Sequence, residues 1–202
     1  MVLIIITYCA IIRYELFHSL GAHFSALYGN THKVGGSIWQ QGALASSGIE
    51  QMAETGGTSI LSSEIIALIN GYGAESLVAG AGSSATDMTE VEFEISETHP
   101  LFSMVSMIAP SPDWFIGVND LDLRENGLWR NSYSVDLFPY DSGTDNGVAF
   151  TSSNSNTFPQ EPIEQIITTP FPNGVRLGRF VFDLISTAGV PMPENIFANG
   201  FE

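Results

Sequence analysis

Apolar and polar residues alternate most cleanly at Thr89–Ser96, TEVEFEIS. Val91, Phe93 and Ile95 fall on one face and Glu90, Glu92 and Glu94 on the other, the period-two pattern of a half-buried strand. Pro100–Ala109 (PLFSMVSMIA) is nearly all apolar, which suits a central strand between two layers. Phe115–Val118 and Tyr133–Phe138 read as shorter strands, and Gly178–Ile185 (GRFVFDLI) as the last one. Val148–Thr151 is expected as the return strand of a hairpin, and Ser152–Pro162 as a polar loop with two prolines. Strands at this spacing, separated by Gly/Pro turns, point to an antiparallel sandwich.

The first half of the chain is less regular. Arg13–Ser19 and the short Ser37–Gln40 read as strands, the latter with Trp39 inward. Ser46-Ser47 caps a helix running to Thr55, with Ile49, Met52 and Ala53 on one face and Gly56-Gly57 as its stop. A second helix is expected from a Ser62-Ser63-Glu64 cap to Gly71. Ala74–Ser84 is small and glycine-rich and reads as a loop. Three segments result: residues 1–12, a domain over 13–186, and a proline-containing tail over 187–202. Met1–Ile12 is too short to span a bilayer. It reads either as an atypical or truncated export signal, lacking a basic n-region and a clear cleavage site, or as a buried strand.

Composition narrows the function classes. The 202 residues suffice for one well-buried domain. Asp and Glu number 22 against 6 Lys plus Arg, a net charge of −16, which repels nucleic acid and anionic lipid and favours divalent cations. The single cysteine, Cys9, allows no internal disulfide. The four histidines show no zinc spacing. His32 and His99 read as satisfied structural residues. Trp39 and Trp114 read as core and Trp129 as rim, although all three could stack on a sugar. Glu54 reads as a helix-surface or capping residue, or as one bonded to a loop. Ser46-Ser47-Gly48 is not a nucleophile elbow.

The densest chemistry lies between Ser111 and Gly147. Asp141 and Asp145 are four apart in Pro139–Gly147 (PYDSGTDNG), where Gly143 and Gly147 let the chain curl back. Asp113, in SPDW, would join them from a neighbouring strand end. Calcium takes six to eight oxygens at roughly 2.3–2.6 Å from carboxylates, carbonyls and water. Three carboxylates in contact repel one another unless a cation lies between them. The alternative is that Asp141 and Asp145 make Asx turns. Asp120, Asp122 and Asp136 are possible further ligands. The spacing is not that of an EF-hand.

Several motifs in this order carry a resemblance: HFS at His23–Ser25, Gly29-x-x-His32, Trp39 with Gly42, and Ala45-Ser46-x-Gly48. Ala53-Glu54-x-Gly56, PSPDWFxGV at Pro110–Val118 and PYDxGTDxG at Pro139–Gly147 continue it. Together they resemble the spondin domain, the N-terminal module of F-spondin and mindin, over roughly Arg13–Ile185. The resemblance implies a mainly β fold, a C2-like antiparallel β-sandwich of about eight strands, here with two short helices. It also implies a calcium ion held by Asp113, Asp141 and Asp145. No catalytic activity comes with the family, whose animal members act outside the cell in adhesion and recognition of glycans, matrix or cell surfaces. Where those members carry a cysteine after the SPDW strand, this chain has Leu123-Arg124. Single-domain versions resemble bacterial secreted proteins. The expectation is therefore a secreted calcium-binding recognition module with an extracellular glycan or protein partner and no stable membrane span. Two alternatives stand beside it: a metal-dependent hydrolase using the same acids, and a domain in which calcium only stabilises the fold.

Overall fold

The computed structural model describes residues 1–10 and 21–187, with side chains described except at 5, 6, 8–10 and 187. The expected strand at Arg13–Ser19 and the tail beyond residue 187 lie outside the described residues. The fourteen described strands are β1 (Val2–Ala10), β2 (His23–Phe24), β3 (Tyr28–His32), β4 (Ala74–Ala79), β5 (Ser83–Ser84), β6 (Met88–Ile95), β7 (Leu101–Ala109), β8 (Trp114–Asp122), β9 (Arg124–Glu125), β10 (Leu128–Trp129), β11 (Ser132–Leu137), β12 (Pro139–Asp141), β13 (Glu164–Gln165) and β14 (Gly178–Thr187). The helices are α1 (Ser47–Thr55) and α2 (Ser59–Asn70).

Two antiparallel sheets face each other. One has the order β11-β14-β1-β6. The other runs β13-β12-β8-β7-β2-β5, with β3 also pairing β7 and β4 pairing β3. A small β9–β10 ribbon stands apart. The apolar run at the N-terminus is thus a strand over Val2–Ala10, antiparallel to both β6 and β14.

β7 is central and is buried from Phe102 to Ala109. Its period-two alternation feeds two cores. Phe102, Met104 and Ile108 face the sandwich interior with Ile4, Phe93, Ile95, Phe180 and Phe182 of the opposite sheet. Val105, Met107 and Ala109 face the helices, where they meet Ile49, Met52, Ala53, Leu61, Ile65, Trp39 and Phe115. The result is three layers: sheet, sheet and helix pair.

Helix α1 matches its expected bounds. Ser46 Oγ accepts from the Ile49 amide, and the helix ends at Gly56 in the left-handed region. Helix α2 starts at Ser59, earlier than the Ser62-Ser63 cap suggests, with Thr58 as N-cap. Ile60 and Leu61 extend it toward α1, and Leu61 is fully buried there. Two strand expectations and one loop expectation fail. Ser37–Gln40 is irregular, although Trp39 is inward as expected. Ala74–Ser84 is not a loop: it holds β4 and β5, because β3 offers β4 an open edge to pair with. Val148–Thr151 forms no strand; Phe150 leaves the turn to pack against Trp114 and Phe171, and β12 pairs instead with β8 and β13.

Candidate metal centre

The acidic residues of the two turns meet at one end of β8 and β12. Asp141 is paired with Trp114 in the register of these strands, so the turn before β8 and the loop after β12 lie together. Asp113 is fully buried. Its Oδ2 accepts from the Thr144 amide (2.8 Å), the Ser142 hydroxyl (2.9 Å), the Asp145 amide (3.1 Å) and the Thr144 hydroxyl (3.3 Å). One carboxylate oxygen thereby organises residues 142–145. Its other oxygen, Oδ1, is buried with no hydrogen-bond partner in the protein.

Asp141 and Asp145 each close an Asx turn. Asp141 Oδ1 accepts from the Gly143 amide (2.8 Å) and Oδ2 from the Trp114 indole (3.2 Å). Asp145 Oδ1 accepts from the Gly147 amide (2.7 Å) and Oδ2 from the Ser155 amide (2.6 Å). Gly143 has φ +74°, and a Cβ on it would lie 2.6 Å from the carbonyl carbon of Glu161, so this tight turn requires glycine.

Burial, and next the charge of Asp113, push the Asp141 carboxyl up to about 6. A further acid, Glu54, reaches the centre from the last turn of α1. Burial raises its carboxyl, against a hydrogen bond from Thr144, with Glu50, Asp145 and Asp113 adding to the rise. Its Oε1 is also buried without a partner. The sequence leaves Glu54 as a helix-surface residue, a capping residue or one bonded to a loop; its hydrogen bond with Thr144 bears out the loop option, because α1 packs on β7 and β8 with its C-terminus toward Thr144. Only the Ala53-Glu54-x-Gly56 motif carried a signal for it.

Among the described residues, none of these four carboxylates pairs with an Arg, Lys or His. Nor do three His, Cys, Asp or Glu side chains converge as a ready-made ligand set. A cation here would draw on backbone carbonyls and water for part of its shell. The donor chemistry fits a hard cation: every ligand offered is oxygen, and Asp113 presents a buried oxygen with nothing bound to it. Beside the turn lies an open cleft of about 480 Å³ lined by Asp141, Asp145, Glu161 and Glu164.

The other acids considered lie elsewhere. Asp120 is 3.7 Å from His32, Asp122 pairs with Arg124, and Asp136 accepts from Arg176 and Arg179. His32 is fully buried, with Nε2 at 2.8 Å from Ser103 Oγ and Nδ1 donating to the Lys33 carbonyl. His99 bonds near Thr98 and Tyr72. Trp129 carries Arg124 over its ring at 5.7 Å. Leu123, at the position where the resemblance places a cysteine, is buried in the sandwich core.

An antiparallel sandwich with two helices on one face and acidic turns at one end defines the class, a non-barrel β-domain. The family described as Spondin_N matches residues 14–176, and the chain belongs to this spondin N-terminal family. It is similar to human spondin-2, 38% identical over 159 residues that cover 78% of this chain and 48% of that protein. Rat spondin-2 is 38% identical over 156 residues, 76% of this chain and 47% of that protein. Bovine spondin-1 is 32% identical over 200 residues, 86% of this chain and 24% of that protein. The chain thus spans about half the length of the spondin-2 relatives and about a quarter of spondin-1.

Proposed function

We propose that this domain is a secreted, calcium-stabilised adhesion and recognition module that binds an extracellular glycan, matrix or cell-surface partner. Membership of the spondin family supports the extracellular setting, and no described helix is long and apolar enough to cross a membrane. The observation that carries the calcium reading is Asp113. A fully buried carboxylate organises the loop with one oxygen and leaves the other without a partner, beside Asp141, Asp145 and Glu54. Such a group is costly to bury alone, and a divalent cation offsets that cost. Asp113, Asp141 and Asp145 are the side-chain ligands in this reading, with Glu54 facing the same centre.

Calorimetric titration with calcium, and melting with calcium or chelator, test it. Saturable calcium heat and a lower melting temperature in chelator are expected. Neither heat nor a chelator effect would remove calcium from the account. Adhesion of the calcium-loaded domain to immobilised glycans and matrix tests the recognition role, and its complete absence would leave a domain in which calcium serves the fold alone.

A further inference from the structure

The chain changes sheets between β11 and β12. Residues 132–137 pair with β14 in one sheet, and residues 139–141 pair with β8 in the other. A strand that switches sheets opens a corner. Here the corner is a cleft of about 290 Å³ between β8 and the β11–β12 segment.

Strand alternation decides what lines it. Asp136, Phe138 and Tyr140 lie on one face of this segment, and Leu137, Pro139 and Asp141 on the other. Val135 joins the lining where the chain crosses between sheets, and within β12 Tyr140 faces the cleft while Asp141 faces the acidic centre. Trp39 forms the back wall, edge-on to Tyr140 at 4.9 Å, with its indole N–H satisfied by the Val118 carbonyl. Phe138 is half-buried yet belongs to neither apolar core. Its ring is the part of the wall that the fold itself does not use.

The polar groups at the cleft have unused capacity. Asp136 Oδ1 accepts from both Arg176 and Arg179, which leaves Oδ2 open, and these contacts hold its carboxyl below the usual range. Asn119 uses Oδ1 to accept from Ser37 and leaves its amide N–H groups free. Gln41 donates from Nε2 to Glu164 and leaves Oε1 free. The Tyr140 hydroxyl bonds no described group, and burial pushes its phenol up, so it stays a donor. Ring faces flanked by a few donors and acceptors match a molecule with apolar C–H faces and an equatorial rim of hydroxyls.

We propose that this cleft receives one pyranose residue of a glycan, stacked on Phe138 and held by the Tyr140 hydroxyl, Asp136, Asn119 and Gln41. The proposal rests on the glycan reading above and assigns it a site.

The test is an NMR titration of the calcium-loaded domain with methyl α-mannoside, methyl β-galactoside and N-acetylglucosamine. At least one sugar should give saturable shifts centred on the Trp39 indole and the Asn119 and Gln41 side-chain amides. Phe138→Ala should weaken that binding about tenfold, and Gln41→Ala about threefold, with melting unchanged. No shift from any of the three sugars, shifts centred elsewhere, or undiminished affinity in both variants would overturn the assignment. If wild type and Phe138→Ala bind an immobilised glycan equally, glycan recognition stands and the cleft is wrong. If neither binds any glycan, the recognition reading fails with it.

Discussion

Asp113 has two oxygens with different surroundings, and they make different predictions. Oδ2 accepts four hydrogen bonds from residues 142–145, while Oδ1 accepts none. Asparagine keeps an oxygen for the loop and places an amide N–H₂ where Oδ1 was, facing Asp141 and Glu54. Removing the charge also relieves part of what raises Asp141. Asp113→Asn should therefore leave the metal-free protein as stable as wild type or about 1 kcal/mol more stable. The same change removes a proposed anionic ligand and should weaken calcium binding by at least ~10-fold. Melting in chelator and calorimetry in calcium measure the two effects separately. A variant that melts lower in chelator would mean that the carboxylate charge stabilises the loop by itself. Asp113→Ala strands the donors as well and should cost about 3 kcal/mol in either condition.

At the scale of elements, the helix pair is joined through one carboxylate. Glu64 of α2 accepts from the Ser46 hydroxyl at 2.6 Å and from the Gly48 amide at 2.9 Å, so it caps α1 across the helix interface. The approach is close: a Cβ on Gly48 would lie 2.6 Å from Leu61 Cα. Glu64→Ala should cost about 1–2 kcal/mol in chemical denaturation and speed hydrogen exchange at Gly48 and Ile49, with Glu64→Gln in between. Unchanged exchange at those amides would show that Ser46 alone caps the helix. The same elements show what was legible in the sequence. Helix α1, β6, β7 and β14 were readable because burial, alternation and caps coincide in a few consecutive residues. The three acids of SPDW and PYDSGTD were readable because their loops are short and rich in Gly and Asx. β4 was hidden because Ala74–Ala79 is recruited by the edge of β3, 45 residues upstream at the Thr31–Ser76 pair. Val148–Thr151 misled because the aromatic at Phe150 serves the core from a turn. For Glu54 a bond to a loop was legible as one option, but not which loop, since that depends on how α1 lies across β7 and β8, a relation between residues far apart in the chain.

For the molecule as a whole, two titrating groups, buried His32 and half-buried Asp141, act on stability with opposite sign, and calcium at the proposed site would separate them. Burial lowers His32 from the ordinary imidazole value of 6.5, with the Lys33 carbonyl and Asp120 opposing and His99 reinforcing the shift. A depressed histidine contributes stability above 6.5 that is lost as pH falls through the folded value. The His32–Ser103 bond ties β3 to β7, so this loss reaches the central strand. Asp141 works the other way. Its carboxyl is raised from 3.8 to about 6, so its contribution is fully present below 3.8 and disappears as pH rises through about 6. That contribution is on the order of 2 kcal/mol once solvent screening is allowed for. In chelator the two limbs oppose each other below pH 6.5, so wild-type stability should vary less with pH than that of a variant lacking either group. Asp141→Asn should expose the histidine limb, with stability in chelator falling steadily on acidification. His32→Gln should expose the carboxylate limb, with stability rising as pH drops from about 6 to 4. In the proposed site calcium would hold Asp141 ionised, so its addition to wild type should reproduce the acid-sensitive profile of Asp141→Asn, and calcium affinity should itself increase with pH through about 6. Urea unfolding across this range, in chelator and in calcium, measures all four curves. A flat His32→Gln profile in chelator would mean that Asp141 does not titrate where its surroundings place it, and a wild-type profile indifferent to calcium would show that the ion does not contact that carboxylate.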